Sequence, residues 1–234
     1  MQFDRRKLLV TLLALPAGCA IQPLRDLKIE AIAPPPGVPS IRQPALGQSW
    51  TYQKFNIYNG ERLAVEREEV IALSPRIVIR RQTETGQVLP EEQQAKWGHV
   101  LREPVWDYVL NLEQPLAHWP ETLALGATAM LNTHYLMDGG SYRYWINVHA
   151  RVMAWERIQV PAGSFNTLRI EKFIRLQHQD FGRVETIRRE VLWLAPEVGR
   201  WVARETRGDF KTTGLQGDSY GREDYLRWEL SAWQ

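Results

Sequence analysis

A single cysteine, Cys19, occurs among the 234 residues. That excludes an intramolecular disulfide framework and every multi-thiolate metal site, so the fold has to be held by its core. Long hydrophobic runs are missing too: "LLVTLLAL" (Leu8–Leu15) is largely apolar but short, against the roughly 20 residues a membrane-spanning helix needs. Charge of one sign is scarce. The chain has 29 basic and 27 acidic residues, and Arg5, Arg6, Lys7 and Asp4 carry the whole +2 excess, leaving 26 of each in the remainder. A neutral domain lacks the electrostatic footprint of a nucleic-acid binder, so no nucleic-acid partner is expected. The five histidines (His99, His118, His134, His149 and His178) show no metal-ligand spacing, and no phosphate loop or dinucleotide glycine pattern occurs. Neither metal nor cofactor is expected.

What is present begins at the N-terminus. A basic stretch, "DRRK", precedes the short apolar run, and "PAGC" ends at Cys19 with small residues before it. These are the three parts of an export signal. The small-small-Cys ending resembles a bacterial lipobox, in which the cysteine thiol is lipidated and becomes the new N-terminus. Pro16 stands where Leu is usual, with Leu15 one place further out. "DRRKLL" also resembles a twin-arginine signal through Arg5 and Arg6, with Leu8 replacing the usual Phe. Ala20 rather than Asp after the cysteine implies, for a Gram-negative host, the outer membrane facing the periplasm.

The sequence divides into a signal peptide (1–18), a Pro-rich tether (19–45) and one domain (46–234). Pro23, Pro34, Pro35, Pro36, Pro39 and Pro44 deny helix or sheet interior to the tether, because each lacks an N–H and fixes φ. It is expected to be a semi-rigid spacer, with "LRDLKIEAI" inside it able to dock as a short helix or strand. Beyond Gly47 the apolar period is two. "YRYWINVHARV" sets Tyr142, Tyr144, Ile146, Val148, Ala150 and Val152 on one face and Arg143, Asn147, His149 and Arg151 on the other. "VWDYVLNL" and "LRIEKFIRLQ" alternate likewise, and "YNGE", "MDGGS", "VPAGS", "QDFGR" and "APEVG" separate such runs as tight turns. The expectation is all-β: a single antiparallel meander of about ten strands forming a curved sheet, a barrel or an open half-barrel. Short helices are expected at "PEEQQAKWG" (Pro90–Gly98) and within 113–123.

Three segments carry a family resemblance: "LGQSWTY" (Leu46–Tyr52), "VPAGSFNTLRIE" (Val160–Glu171) and "WLAPEVGRWVARE" (Trp193–Glu205). Together they resemble a group of secreted bacterial β-rich envelope proteins of unknown function. Its members carry a "VPAG(T/S)F" hairpin and a later aromatic-x-x-Pro-x-x-Gly hairpin. The resemblance implies fold and export, and brings no catalytic residue with it.

Few residues suggest chemistry. "GDSYG" (Gly217–Gly221) fits the G-x-S-x-G nucleophile pattern around Ser219, but no histidine follows His178 to complete a triad, and the flanks are strand-like. Glu66 and Glu68 form an acidic pair expected to be solvated. Lys172 interrupts the Leu168–Leu176 apolar face, as a bulge, a lysine reaching the sheet rim or an inward ligand-facing charge. The ten tryptophans are expected to be mostly core. Trp145 and Trp155 sit on the polar sides of their strands and are the candidates for a ligand-facing aromatic. The sequence thus points to a lipid-anchored, non-enzymatic binding or assembly module, its partners the membrane through Cys19 and an unknown protein. The alternative is a carrier of a hydrophobic, lipid-like ligand in a curved-sheet cavity, with a hydrolase a distant third.

Overall fold

A computed structural model describes residues 26–37, 39–106, 108–214 and 217–234. Arg5, Arg6 and Cys19 lie outside the described residues. The strands are β1 (Lys28–Ala31), β2 (Ser49–Asn56), β3 (Arg62–Ala72), β4 (Ile77–Thr83), β5 (Val88–Lys96), β6 (His99–Glu103) and β7 (Leu110–Ala117). They continue with β8 (Thr128–Leu136), β9 (Tyr144–Val160), β10 (Gly163–Leu176), β11 (Arg183–Ala195), β12 (Arg200–Gly214), β13 (Gly217–Arg222) and β14 (Leu226–Trp233). No helix occurs among the described residues.

Twelve strands close into an antiparallel barrel in the order β9-β10-β11-β12-β14-β2-β3-β4-β5-β6-β7-β8, and β8 pairs back onto β9. The two remaining strands extend edges that the barrel leaves over. β13 pairs with β12 beyond the reach of β14, and β1 pairs with β9 beyond the reach of β8. The barrel among the three expected architectures is therefore the one adopted. The seam between β7 and β8 is narrow, with Asn111 opposite Leu136 and Leu112 opposite Tyr135.

Most of the period-two reading maps directly onto inner and outer faces. Tyr144, Ile146, Val148, Ala150 and Val152 of β9 are buried, while their alternates are half-buried or exposed; Tyr142, expected on the same face, precedes the strand and is exposed. The helix expected at Pro90–Gly98 is instead most of β5 and its turn. Its inward residues are polar, Glu92 and Gln94, both fully buried, so the alternation was hidden from a hydrophobicity count. Residues 113–117 of the second expected helix region likewise belong to a strand, β7.

The N-terminal segment also differs from a free spacer over its described part. β9 pairs with β8 through residues 144–151, which leaves the edge at 156–159 open. An open edge presents unpaired N–H and C=O groups. Lys28–Ala31 fills it as β1, and the Ile32 N–H then donates to the Trp155 carbonyl (3.0 Å). Further on, Arg42 N–H donates to Pro196 O (2.9 Å), and Leu27, Ile32 and Ile41 pack on the core.

That contact depends on Gly199, in the β11–β12 turn. Its φ is +79°, and a Cβ there would lie 2.4 Å from Arg42 O. Gly126 has φ +81° but open space around it. Gly199→Ala is expected to lower stability by more than the ~1–2 kcal/mol of left-handed strain that Gly126→Ala incurs alone. Thermal unfolding of the two variants, with limited proteolysis of the 26–45 segment, checks this: only Gly199→Ala should expose that segment.

Candidate functional site

The sequence-predicted residues separate in the barrel. Trp145 stays on the outer face, half-buried and opposite His134 of β8. Trp155 does not. A bulge at Met153 shifts the register, so that Arg169 opposes Ala154 while Ile170 opposes Val152. The parity of β9 is thereby reversed, and Trp155 lies opposite Leu168 in the core at 6% exposure. Its reading as a surface aromatic is corrected: an extra residue moves a side chain to the other face. Lys172 keeps the inward parity of Ile170 and Ile174 and is buried, so it is neither bulge nor rim lysine. Ser219 lies in β13, on an exposed hairpin.

Lys172 belongs to a polar layer that crosses the lumen. Along β10, Leu168 and Ile170 belong to one apolar cluster and Ile174 and Leu176 to another, with Lys172 between them. Its Nζ donates to Glu190 Oε1 (2.7 Å) and to His118 Nδ1 (3.1 Å). Glu190 also accepts from Nε of Arg204 (2.8 Å). Arg200 reaches from β12 to Glu68 of β3 (2.8 Å from Nε) and to Glu92 of β5 (2.8 Å from Nη2). On the same side Arg81 donates to Glu66 (2.6 Å). Glu66 and Glu68, expected to be solvated, are 5% and 1% exposed. The correction has a physical reason. They share inward parity with Val70, and buried arginines on β4 and β12 supply the counter-charge.

The layer holds five carboxyl groups (Glu66, Glu68, Glu92, Glu103, Glu190) and four cations (Arg81, Lys172, Arg200, Arg204). Burial alone would raise every carboxyl, and partners decide which ones escape. Burial pushes Glu190 up, but Arg204 and Lys172 more than offset it and hold it at about 2. Burial likewise opposes Glu92, and Arg200 brings it below its ordinary value. Glu68 and Glu103 end raised, because desolvation outweighs their arginines. Glu103 accepts from Val105 N–H (3.1 Å), while its Oε2 lacks a hydrogen bond and stands 4.0 Å from His118 Nε2. Burial first, then Lys172 and Arg204, lowers His118 well below the usual imidazole range. It is neutral at pH 7.

This layer was missed in the sequence because a charge at an inward position reads as a break in the pattern. The signal that could have found it is parity: Glu66 and Glu68 fall in step with Val70, Arg81 with Ile77 and Ile79, and Glu190 with Leu192. Charges of opposite sign in step with apolar residues on several strands are a buried network in outline.

Outside the wall, a groove of about 480 Å³ runs across β9, β10, β11 and β12. Two cross-strand rows build it. His149, Phe173, Arg189 and Arg207 lie opposite one another in turn, and Arg151, Glu171, Val191 and Glu205 form the next row. Met153, Phe173 and Val191 give it apolar surface, and Tyr225 closes one side.

No family model and no curated protein matches this sequence. Among solved structures the fold is similar to a protein of Parabacteroides distasonis assigned as a lipoprotein, with a TM-score of 0.52 and 11% identity. That match covers 85% of this chain and 100% of the other. An exported protein with a YmcC-like fold from Bacteroides fragilis gives a TM-score of 0.46 at 11% identity, over 85% of this chain and 100% of that one. The hypothetical lipoprotein YmcC of Escherichia coli gives 0.43 at 7% identity, over 79% and 83%. At 11% identity, the first likeness bears on fold alone.

Two outcomes follow from the polar layer. Arg200→Leu, which strands Glu68 and Glu92 in the interior, should lower stability by about 3–5 kcal/mol in urea unfolding. Adding Glu68→Gln and Glu92→Gln should restore much of it. Acid should act through Glu190 and His118. Glu190's contribution is complete above its unfolded value near 4.5 and is lost as pH falls toward about 2. The neutral His118 begins to weaken the fold once pH drops below about 6.5, where the unfolded imidazole takes a proton. Glu68 and Glu103, raised by burial, work the other way, because the folded chain takes up their protons first; Glu190→Gln should therefore make the urea midpoint less sensitive to pH between about 4.5 and about 2. The His118 ring resonances should show no midpoint near the ordinary imidazole value of about 6.5 in the native state.

Proposed function

We propose that the chain is a lipid-anchored envelope protein, held at the outer membrane through Cys19, that works as a non-enzymatic binding module through the outer surface of its barrel. The observation that carries the last part is the bridged lumen. Arg200 links β12 to β3 and β5, Lys172 links β10 to the β7–β8 connection, and Trp97 Nε1 donates across to Gly199 O (2.9 Å). A carrier needs an enclosed apolar space of several hundred Å³. Here the corresponding space is crossed by charged side chains bonded to one another. An uncharged ligand entering it would have to break ion pairs whose separated members are expensive to leave buried.

The same layer argues against reading its lysine, histidine and carboxylates as an enzyme site. Lys172, Glu190 and His118 are each 2% exposed or less, and a catalytic group has to meet its substrate. The exposed Ser219 has Thr212 Oγ1 as its side-chain partner rather than a base.

Anchoring is tested by fractionation. The wild-type chain should incorporate labelled palmitate and sediment with outer membranes, and Cys19→Ala should do neither. Both forms remaining soluble and unlabelled would overturn the anchor. For the lumen, an uncharged naphthylamine dye should stay dark with the folded protein. Saturable fluorescence would put the carrier in place of the outer-surface module.

A further inference from the structure

Resting on the outer-surface reading, we propose that the groove across β9–β12 binds the phosphate headgroup of a membrane phospholipid, with Arg189 and Arg207 on the phosphate and Phe173 and Met153 under the first acyl carbons.

Arg189 and Arg207 stand directly opposite each other on neighbouring strands, a placement that is destabilising for like charges. Neither has an ion-pair partner among the described residues, and the same holds for Arg151 at the other side of the groove. The arginines of β10 and β14 on this face are paired. Arg169 binds Glu156 (3.0 Å) and Glu171, Arg175 binds Glu185 (2.6 Å), and Arg227 binds Glu205 (3.3 Å) and Glu229 (2.8 Å). The groove's own carboxylates are thus engaged already, Glu171 with Arg169 and Glu205 with Arg227 and the Tyr225 hydroxyl (3.0 Å). Three guanidinium groups remain, aimed into one concavity and open to an external anion. Paired, planar guanidinium groups suit the oxygens of a phosphate.

The rest of the groove selects an amphiphile over a bare ion. Phe173 and Met153 are 39% and 38% exposed, beside the arginines rather than beneath them. A volume of about 480 Å³ exceeds what a single phosphate fills and lies in the range of small-molecule sites.

Position supplies the source. Asp26, the first described residue, lines a hollow on this same face that shares Val191, Glu205 and Tyr225 with the groove. Cys19 precedes it by seven residues, which span at most about 25 Å when fully extended. A lipid on Cys19 therefore holds this face, rather than the opposite wall, within reach of the headgroups.

The test uses the full chain bearing Cys19→Ser, so that a failure of anchoring leaves the readout intact, and soluble dihexanoyl phosphatidic acid as the probe. Titration calorimetry should show saturable binding that weakens with added salt. Arg189→Gln/Arg207→Gln should lose affinity by at least about tenfold. Arg143→Gln, which removes an outer-face arginine already paired with Glu113, should retain it. Phe173→Ser should weaken the lipid but leave inorganic phosphate unaffected. The proposal is overturned by absent lipid binding, or by equal affinity for lipid and inorganic phosphate. It is also overturned if the double arginine variant binds normally while its near-ultraviolet spectrum matches wild type. Tighter binding of polyglutamate than of the lipid would replace the phospholipid with an acidic protein segment.

Discussion

Arg200 is the residue on which the barrel's interior depends. Its guanidinium is fully buried and holds Glu68 and Glu92 across the space between β12 and the β3–β5 wall. Eight strands leave a barrel interior just wide enough for side chains to fill, and sixteen leave a water channel. Twelve lie between, so ordinary aliphatic residues from facing walls would not meet. The largest fully buried side chains are Trp50, Trp201, Trp228, Arg200, Arg204 and Tyr52. Length and volume are the common property. The ion pairs add direction, because each fixes which strand faces which across the lumen. A buried ion pair is poor evidence for net stability, and its use here is to specify how the wall closes.

Filling the lumen in this way moves the chemistry outward. Inside, every strongly shifted carboxyl and base already has a protein counter-charge, and the aromatic rings stack on those guanidinium groups: Arg200 lies over Trp50 (5.2 Å) and Trp201 (5.5 Å). Outside, the arginines sort into paired and unpaired sets by position. Arg151, Arg189 and Arg207 share the groove across β9 to β12, while the carboxylates beside them are engaged with Arg169 and Arg227.

The fold class was legible because turns and alternation are local. "YRYWINVHARV" announces β9, and "MDGGS" announces its hairpin with β8. The number of strands and the closure were less so, since β5 hides its period behind Glu92 and Gln94. Trp155 shows the sharper limit. A bulge is a mismatch between two strands, and nothing in the sequence of β9 alone tells that Met153 is the residue without a partner. The buried charges were hidden for a related reason: Glu66, Glu68 and Lys172 acquire their meaning from charges on other strands, Arg81, Arg200 and Glu190. The groove needed registers across four strands before Arg189 and Arg207 could be seen side by side.

The pairing of β14 with β2 joins residues from opposite ends of the described chain, with Trp233 beside Trp50 and Leu226 beside Asn56. Hairpins such as β9–β10 and β10–β11 can form as soon as their two strands exist. The cylinder cannot. Its wall stays open, and Glu68 stays without Arg200 132 residues away, until β14 has been made. Such long sequence separations slow folding and leave partly folded chains exposed to association. The domain is therefore a late folder during synthesis. A secretion machine that threads unfolded chains would meet it still open, whereas one that carries folded cargo would have to wait for its last strand.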